Sequence, residues 1–225
     1  MRNLSHILLI LLIVPLSCHK TVAPRADTTD ILFVNTSLNQ PQIDVYANGV
    51  LQYPQLTFPD STGYLSIDAP INRLTLANGA DTLISSPAAF NPGARYSIFL
   101  WDTSATALHL SAVSDSFPTP HAGYALLRFL NFSPSVESVD LYSVTSGQDL
   151  FTGRYFDQTD AFAASFVSFP AGVYNLELRS PGTIISIATL DGLTLVAGKA
   201  YTLFARGRVG VVGDRTLGIG VIQHN

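Results

Sequence analysis

Asp44 and Asp140 are acidic residues that the chain repeats in matching surroundings, Ile43-Asp-Val-Tyr46 and Val139-Asp-Leu-Tyr142, at an offset of 96 residues. Two carboxylates are the minimum equipment for glycoside hydrolysis, which holds them about 5 to 9.5 Å apart. These two fall in equivalent segments of separate repeats, so nothing in their spacing brings them together. Strand alternation sets Asp44 and Tyr46 on one face and Ile43 and Val45 on the other, with Asp140 and Tyr142 placed likewise. They read as a solvated sheet face or as a repeated ligand platform. Other chemistry is thinner. Gly198-Lys199 lacks the spacing and strand-to-helix context of a phosphate loop, and no Gly-x-Ser-x-Gly elbow occurs. Among the histidines, His19, His109, His121 and His224 are scattered without paired metal spacing. No cofactor or metal is implied, and the chain is expected not to be an enzyme; a cluster of acids and histidines at a domain junction would revive that reading. Asn35-Thr-Ser37 and Asn131-Phe-Ser133 satisfy the glycosylation sequon, yet they coincide with the repeated motif and read as structural.

Aromatic residues supply a second candidate. In Arg95-Tyr-Ser-Ile-Phe-Leu-Trp101, Tyr96, Ile98 and Leu100 share one face while Phe99 and Trp101 share the other. An outer face has no need of two large rings. That face either packs against another domain or a loop, or is exposed as a platform for a protein or glycan ligand.

The elements that position these residues come in two copies. Ile31-Leu-Phe-Val-Asn-Thr-Ser37 is echoed by Phe129-Leu-Asn-Phe-Ser133, and Pro92-Gly-Ala-Arg-Tyr-Ser-Ile-Phe99 by Ala197-Gly-Lys-Ala-Tyr-Thr-Leu-Phe204. The offset grows from 96 to 105 along the chain, which places an insertion near Thr145 to Asp160. The first copy alternates short β-type runs with the turns Asn48-Gly49 and Asn78-Gly79, the signature of type I′ hairpins, and the second follows the same plan. About seven short strands per copy, with no helical periodicity, predict an all-β fold of two tandem immunoglobulin-like antiparallel β-sandwiches. The expected modules are residues 30–113 and 124–225, joined by a Pro-containing linker at 114–123.

The composition, 47% apolar and 12% charged with a formal net charge of −4, fits exposed β-structure and offers no basic cluster for a phosphate backbone. Nucleic-acid binding is therefore not expected. Residues 1–17 read as a signal peptide, with Arg2 before the apolar run Ile7 to Val14. Pro15-Leu-Ser-Cys18 follows, and Cys18 is the only cysteine. This arrangement resembles the lipobox of bacterial lipoproteins, although Pro15 stands where Leu is usual. It implies acylation of Cys18 and hence a membrane as partner, with residues 18–29 as a flexible tether.

The Phe-x-Asn-x-Ser opening, the x-Asp-x-Tyr strand, Phe169-Pro-Ala-Gly-Val-Tyr-Asn-Leu-Glu-Leu178 and the Ala197 to Phe204 segment resemble the bacterial envelope family named domain of unknown function 4397. The resemblance covers nearly all of residues 30–206, is clearest in the second module and departs at Asp68-Ala-Pro70. It implies tandem immunoglobulin-like sandwiches behind a signal peptide and carries no activity. The expected protein is lipid-anchored in the cell envelope at the outer membrane, periplasmic or surface-exposed, and acts by binding or structure. The alternative is a carbohydrate-binding accessory lipoprotein of a polysaccharide-uptake system.

Overall fold

The computed structural model describes residues 28–224, so the signal peptide, Cys18 and most of the tether lie outside the described residues. The first module contains eight strands: β1 (Thr28–Asn35), β2 (Gln42–Ala47), β3 (Val50–Thr57), β4 (Ser61–Asp68), β5 (Arg73–Asn78), β6 (Asp81–Pro87), β7 (Arg95–Ser104) and β8 (Ala107–Ser114). The second repeats the plan: β9 (Tyr124–Asn131), β10 (Ser138–Ser143), β11 (Gln148–Tyr155), β12 (Val167–Pro170), β13 (Gly172–Arg179), β14 (Ser186–Leu195), β15 (Ala200–Arg206) and β16 (Gly218–Gln223). Each module is thus one strand richer than its turn signals predict, and β1 begins two residues inside the expected tether.

The strands form four sheets, ordered β4-β1-β7-β8 and β3-β2-β5-β6 in the first module, β12-β9-β15-β16 and β11-β10-β13-β14 in the second. The two orders are the same under duplication. In each module the first strand pairs parallel with the seventh, β1 with β7 and β9 with β15, and every other named pairing is antiparallel. Within each sandwich the core is built by alternation: Ile31, Phe33, Ile43, Val45, Leu74, Leu76, Ile98 and Leu100 fill the first, and Leu127, Phe129, Val139, Leu141, Leu176, Leu178 and Leu203 fill the second.

A third apolar cluster joins the modules. Leu32, Val34, Phe99, Trp101 and Val113 pack with Leu130, Phe132, Ala163, Phe204 and Ile222. The sheets containing β1 and β9 therefore stack back to back, and each is covered on both faces. That explains why β1, β7, β9 and β15 carry near-continuous apolar runs instead of clean alternation, as fully covered strands do. The longer segment after β11 adds to this seam: Phe156 lies edge-on to Trp101 at 4.9 Å, and Asp157 takes a hydrogen bond from Ser111.

The repeated Asn-x-Ser motif has a local cause. Asn35 donates to the carbonyls of Gln40 and Leu56 and accepts from Ser37 N, while Asn131 donates to those of Val136 and Arg154 and accepts from Ser133 N. Both asparagines are buried. Each satisfies backbone groups where the first strand leaves its sheet, which water cannot reach.

Candidate functional site

The structure brings together ionisable residues that the sequence keeps far apart. Arg128 on β9 and Asp115, just after β8, form an ion pair of 2.7 Å between fully buried side chains. Arg128 also donates to the Ser114 carbonyl at 2.9 Å and to Thr202 Oγ1 at 3.0 Å. Asp115 Oδ2 accepts from Ser97 Oγ and from the Tyr64 hydroxyl, each at 2.7 Å. Between Tyr64 and Thr202 stands His224, with Nδ1 2.8 Å from the Tyr64 hydroxyl and Nε2 2.6 Å from Thr202 Oγ1.

Donor and acceptor capacities fix the direction of this ring. Arg128 Nε can only donate, so Thr202 accepts from it and gives its own proton to His224 Nε2. His224 then carries its proton on Nδ1 and donates to Tyr64, which donates to Asp115. The imidazole is neutral, its pKa pushed down to about 4, chiefly by burial. Burial, together with the Asp115 charge, pushes the Tyr64 phenol well above its ordinary range, and burial draws the Arg128 guanidinium down while Asp115 opposes it. Phe166 lies under the guanidinium at 4.5 Å and edge-on to His224 at 5.6 Å.

This is the junction cluster of acid and histidine that would revive a catalytic reading, and its order, Thr202 hydroxyl to His224 Nε2 with Asp115 behind Nδ1, is that of a nucleophile, a base and an orienting acid. Its accessibility is wrong for catalysis. The side chains of Arg128, Asp115 and His224 are wholly enclosed, Thr202 is fully buried, and Thr202 is already engaged as both donor and acceptor. A surface depression of about 440 Å³ beside Arg95, Ser114 and Phe117 comes up to Asp115 without exposing its carboxylate. Among the described residues no group of three or more His, Cys, Asp or Glu is placed to hold a metal ion.

The expected platform residues are placed otherwise. Phe99 is fully buried and stacks on Phe132 at 4.3 Å, with Phe204 edge-on at 5.4 Å. Trp101 is 7% exposed, stacked on His109 at 4.2 Å and donating to Ser111 at 2.8 Å. Neither ring is free to meet a ligand: this corrects their assignment as ligand contacts, and the physical reason is that the second module covers their face. Asp44 and Asp140 lie in separate outer sheets. Asp44 accepts from Gln55 N at 2.8 Å, and Asp140 from Gly153 N at 2.6 Å and Gly182 N at 2.9 Å. Both brace bulges in their hairpins, where the β2–β3 and β10–β11 registers shift. Tyr142 is covered by the Arg179 guanidinium at 3.2 Å, whereas Tyr46 is half-buried on the outer sheet of the first module.

The signal for the junction was one residue: Arg128 interrupts the apolar run Ala125 to Leu130 at the position where the first module has Leu32. A charge inside a fully covered strand requires a buried partner.

Fold and junction together define a duplicated all-β sandwich protein whose two modules are welded face to face. The chain belongs to the domain of unknown function family DUF4397, whose model matches residues 29–142. That span is the whole first module and the start of the second, the reverse of the emphasis expected from the motifs. No curated protein matches the chain. Solved structures with a similar course include one described as alpha-glucan recognition by family 41 carbohydrate-binding modules from streptococcal virulence factors, at 12% identity and a TM-score of 0.25, covering 85% of this chain and 96% of that one. Another is a product complex of a multi-modular glycogen-degrading pneumococcal virulence factor, at 11% identity and a TM-score of 0.23, covering 80% of this chain and 21% of that one. Likenesses this slight carry no argument about ligands.

Proposed function

We propose that this protein is a non-enzymatic component of the cell envelope, held at a membrane through acylated Cys18, whose paired sandwiches act by binding or as structure. The observation that supports this best is the closed junction. The acid, histidine and hydroxyl gathered around Asp115, His224 and Thr202 are enclosed side chains engaged with one another across the seam between the two modules. A rigid unit of this kind offers its loops and outer sheet faces to a partner. A glycan partner would have to use those surfaces, Tyr46 among them, because the rings of Phe99 and Trp101 are enclosed.

Membrane fractionation with protease shaving of intact cells, on wild type and Cys18→Ala, tests the anchoring. Wild type is expected in the membrane pellet and the variant in the soluble fraction; a soluble wild type would sink the anchor. Treatment with a fluorophosphonate probe tests the absence of catalysis, and labelling at Thr202 would overturn it.

A further inference from the structure

We propose that the loop joining β15 to β16, residues 207–217, together with Leu38 and Asn39 of the first module, docks onto an anionic phospholipid surface. This rests on the membrane-held reading above and adds a second, protein-built contact to it.

Three observations carry the proposal. The first is charge. Arg206, Arg208 and Arg215 are three of the chain's twelve Lys and Arg residues, gathered within ten positions of a chain whose formal net charge is −4, with Asp214 the only acid among them. Arg206 spends one amino group on the Asp214 carbonyl at 2.9 Å. Arg208 and Arg215 have no ion pair among the described residues, yet the backbone holds them side by side: Arg208 N donates to the Arg215 carbonyl at 2.8 Å, and Leu217 N to the Arg208 carbonyl at 3.0 Å. Both arginines line one cleft, where an anion could be shared between them.

The second is apolar exposure. Val209 is 53% exposed, Val211 37% and Val212 92%, contiguous with the arginines. Aliphatic side chains beside guanidinium groups match the boundary between acyl chains and phosphates. A sugar site would offer an aromatic face, and none lines this cleft.

The third is a prepared recess. A cleft of about 140 Å³ lies between Leu38, Asn39, Arg208, Val211 and Arg215, drawn from both modules. Its loop is braced by Thr216 Oγ1 to the Val211 carbonyl at 3.0 Å and by Val209 N to Ser135 Oγ at 2.9 Å. Gly207, at φ 83°, lets the chain cross within a distance no side chain tolerates, since a Cβ there would meet Thr216 O at 2.2 Å. A phosphate headgroup seated between the two guanidiniums would place the valines toward the acyl layer.

The test is co-sedimentation of the full chain, in a Cys18→Ala background, with vesicles of phosphatidylcholine alone or containing phosphatidylglycerol. The protein is expected to partition onto the anionic vesicles, and Arg208→Gln with Arg215→Gln to weaken that about thirtyfold, from about fivefold per arginine at such a surface. Val212→Trp supplies a second readout, a blue shift of emission with anionic vesicles only. Equal partition onto neutral vesicles, indifference to the double substitution, or binding of an acidic polysaccharide with none to vesicles would each overturn the proposal. Failure here with wild type still pelleting through Cys18 removes this inference alone; tip discrimination in a protein whose wild type is soluble in cells removes the anchor alone.

Discussion

Asp115 and His224 occupy the same position in the two modules, and they meet. Each follows the last strand of its sandwich, and each donates its backbone N–H at 2.9 Å to the first residue of the seventh strand, Asp115 to Arg95 and His224 to Ala200. Ser97 and Thr202, also equivalent, hold the two side chains, and His224 Nδ1 lies 3.9 Å from Asp115 Oδ2. Phe99 and its counterpart Phe204 touch in the same seam. The modules thus join through matching faces, as the halves of a symmetric dimer do, but with unlike residues at matching sites.

The difference between the halves makes the ion pair testable. Asp115→Ala leaves Arg128 buried without its counter-ion and is expected to cost about 3–5 kcal/mol. Arg128→Leu, which installs the residue of the first module, strands Asp115 and is expected to cost a similar amount. The double variant should cost well below the sum of the two, because neither charge is then left stranded, and a urea double-mutant cycle reads the coupling. Simple additivity would mean that the pair contributes nothing as a pair.

Stability should also depend on pH through His224. Its pKa is about 4 in the fold against an ordinary 6.5, so between those values the unfolded chain binds a proton that the folded chain refuses. Stability is therefore fully present above about pH 6.5 and falls as pH drops toward 4, by on the order of 3 kcal/mol. Asp115 faces the ring and works against this shift, while Arg128 and Arg95 favour the neutral form. His224→Gln should flatten this part of the urea midpoint profile; an unchanged slope would assign the pH dependence to other groups.

Phe99 and Trp101 separate packing from ligand contact. Phe99→Ala is expected to cost about 3–5 kcal/mol, because the ring is enclosed by Phe132 and Phe204. Trp101 is the sole tryptophan, so intrinsic emission should be at short wavelength and shielded from acrylamide in the folded protein. Ready quenching would mean that the seam is open.

The sandwiches were legible because the chain states them twice and because Asn-Gly turns mark hairpins in the first. The two-ring face of β7 was legible as an anomaly, since Phe99 and Trp101 alternate with Ile98 and Leu100 on a strand that needed one apolar face only. What covers that face was not legible, because burial by another module and exposure to a ligand demand the same apolar residues. The junction network was hidden for a different reason. Asp115 sits in a stretch that reads as a proline linker and His224 next to the last residue, and only the duplicated topology brings them to one place. Alternation sets the aspartates at 44 and 140 opposite their apolar neighbours, but their role of holding bulge N–H groups, with Asp140 buried, depends on register shifts that alternation does not reveal.

Those bulges yield the last expectation. Asp44 accepts from the N–H of Gln55, which has φ 54°, and Asp140 from that of Gly153, at φ 59°. The two hairpins share one backbone device, but only the second has the residue suited to it. A left-handed conformation costs an L-residue about 1–2 kcal/mol, whereas glycine gives back about 0.4–1 kcal/mol through the greater freedom of the unfolded chain. Gln55→Gly is therefore expected to stabilise by about 0.5 kcal/mol, and Gly153→Ala to destabilise by about the same amount. Urea midpoints at constant slope measure both. A loss of stability in Gln55→Gly would show that packing of the Gln55 side chain outweighs the strain of its backbone.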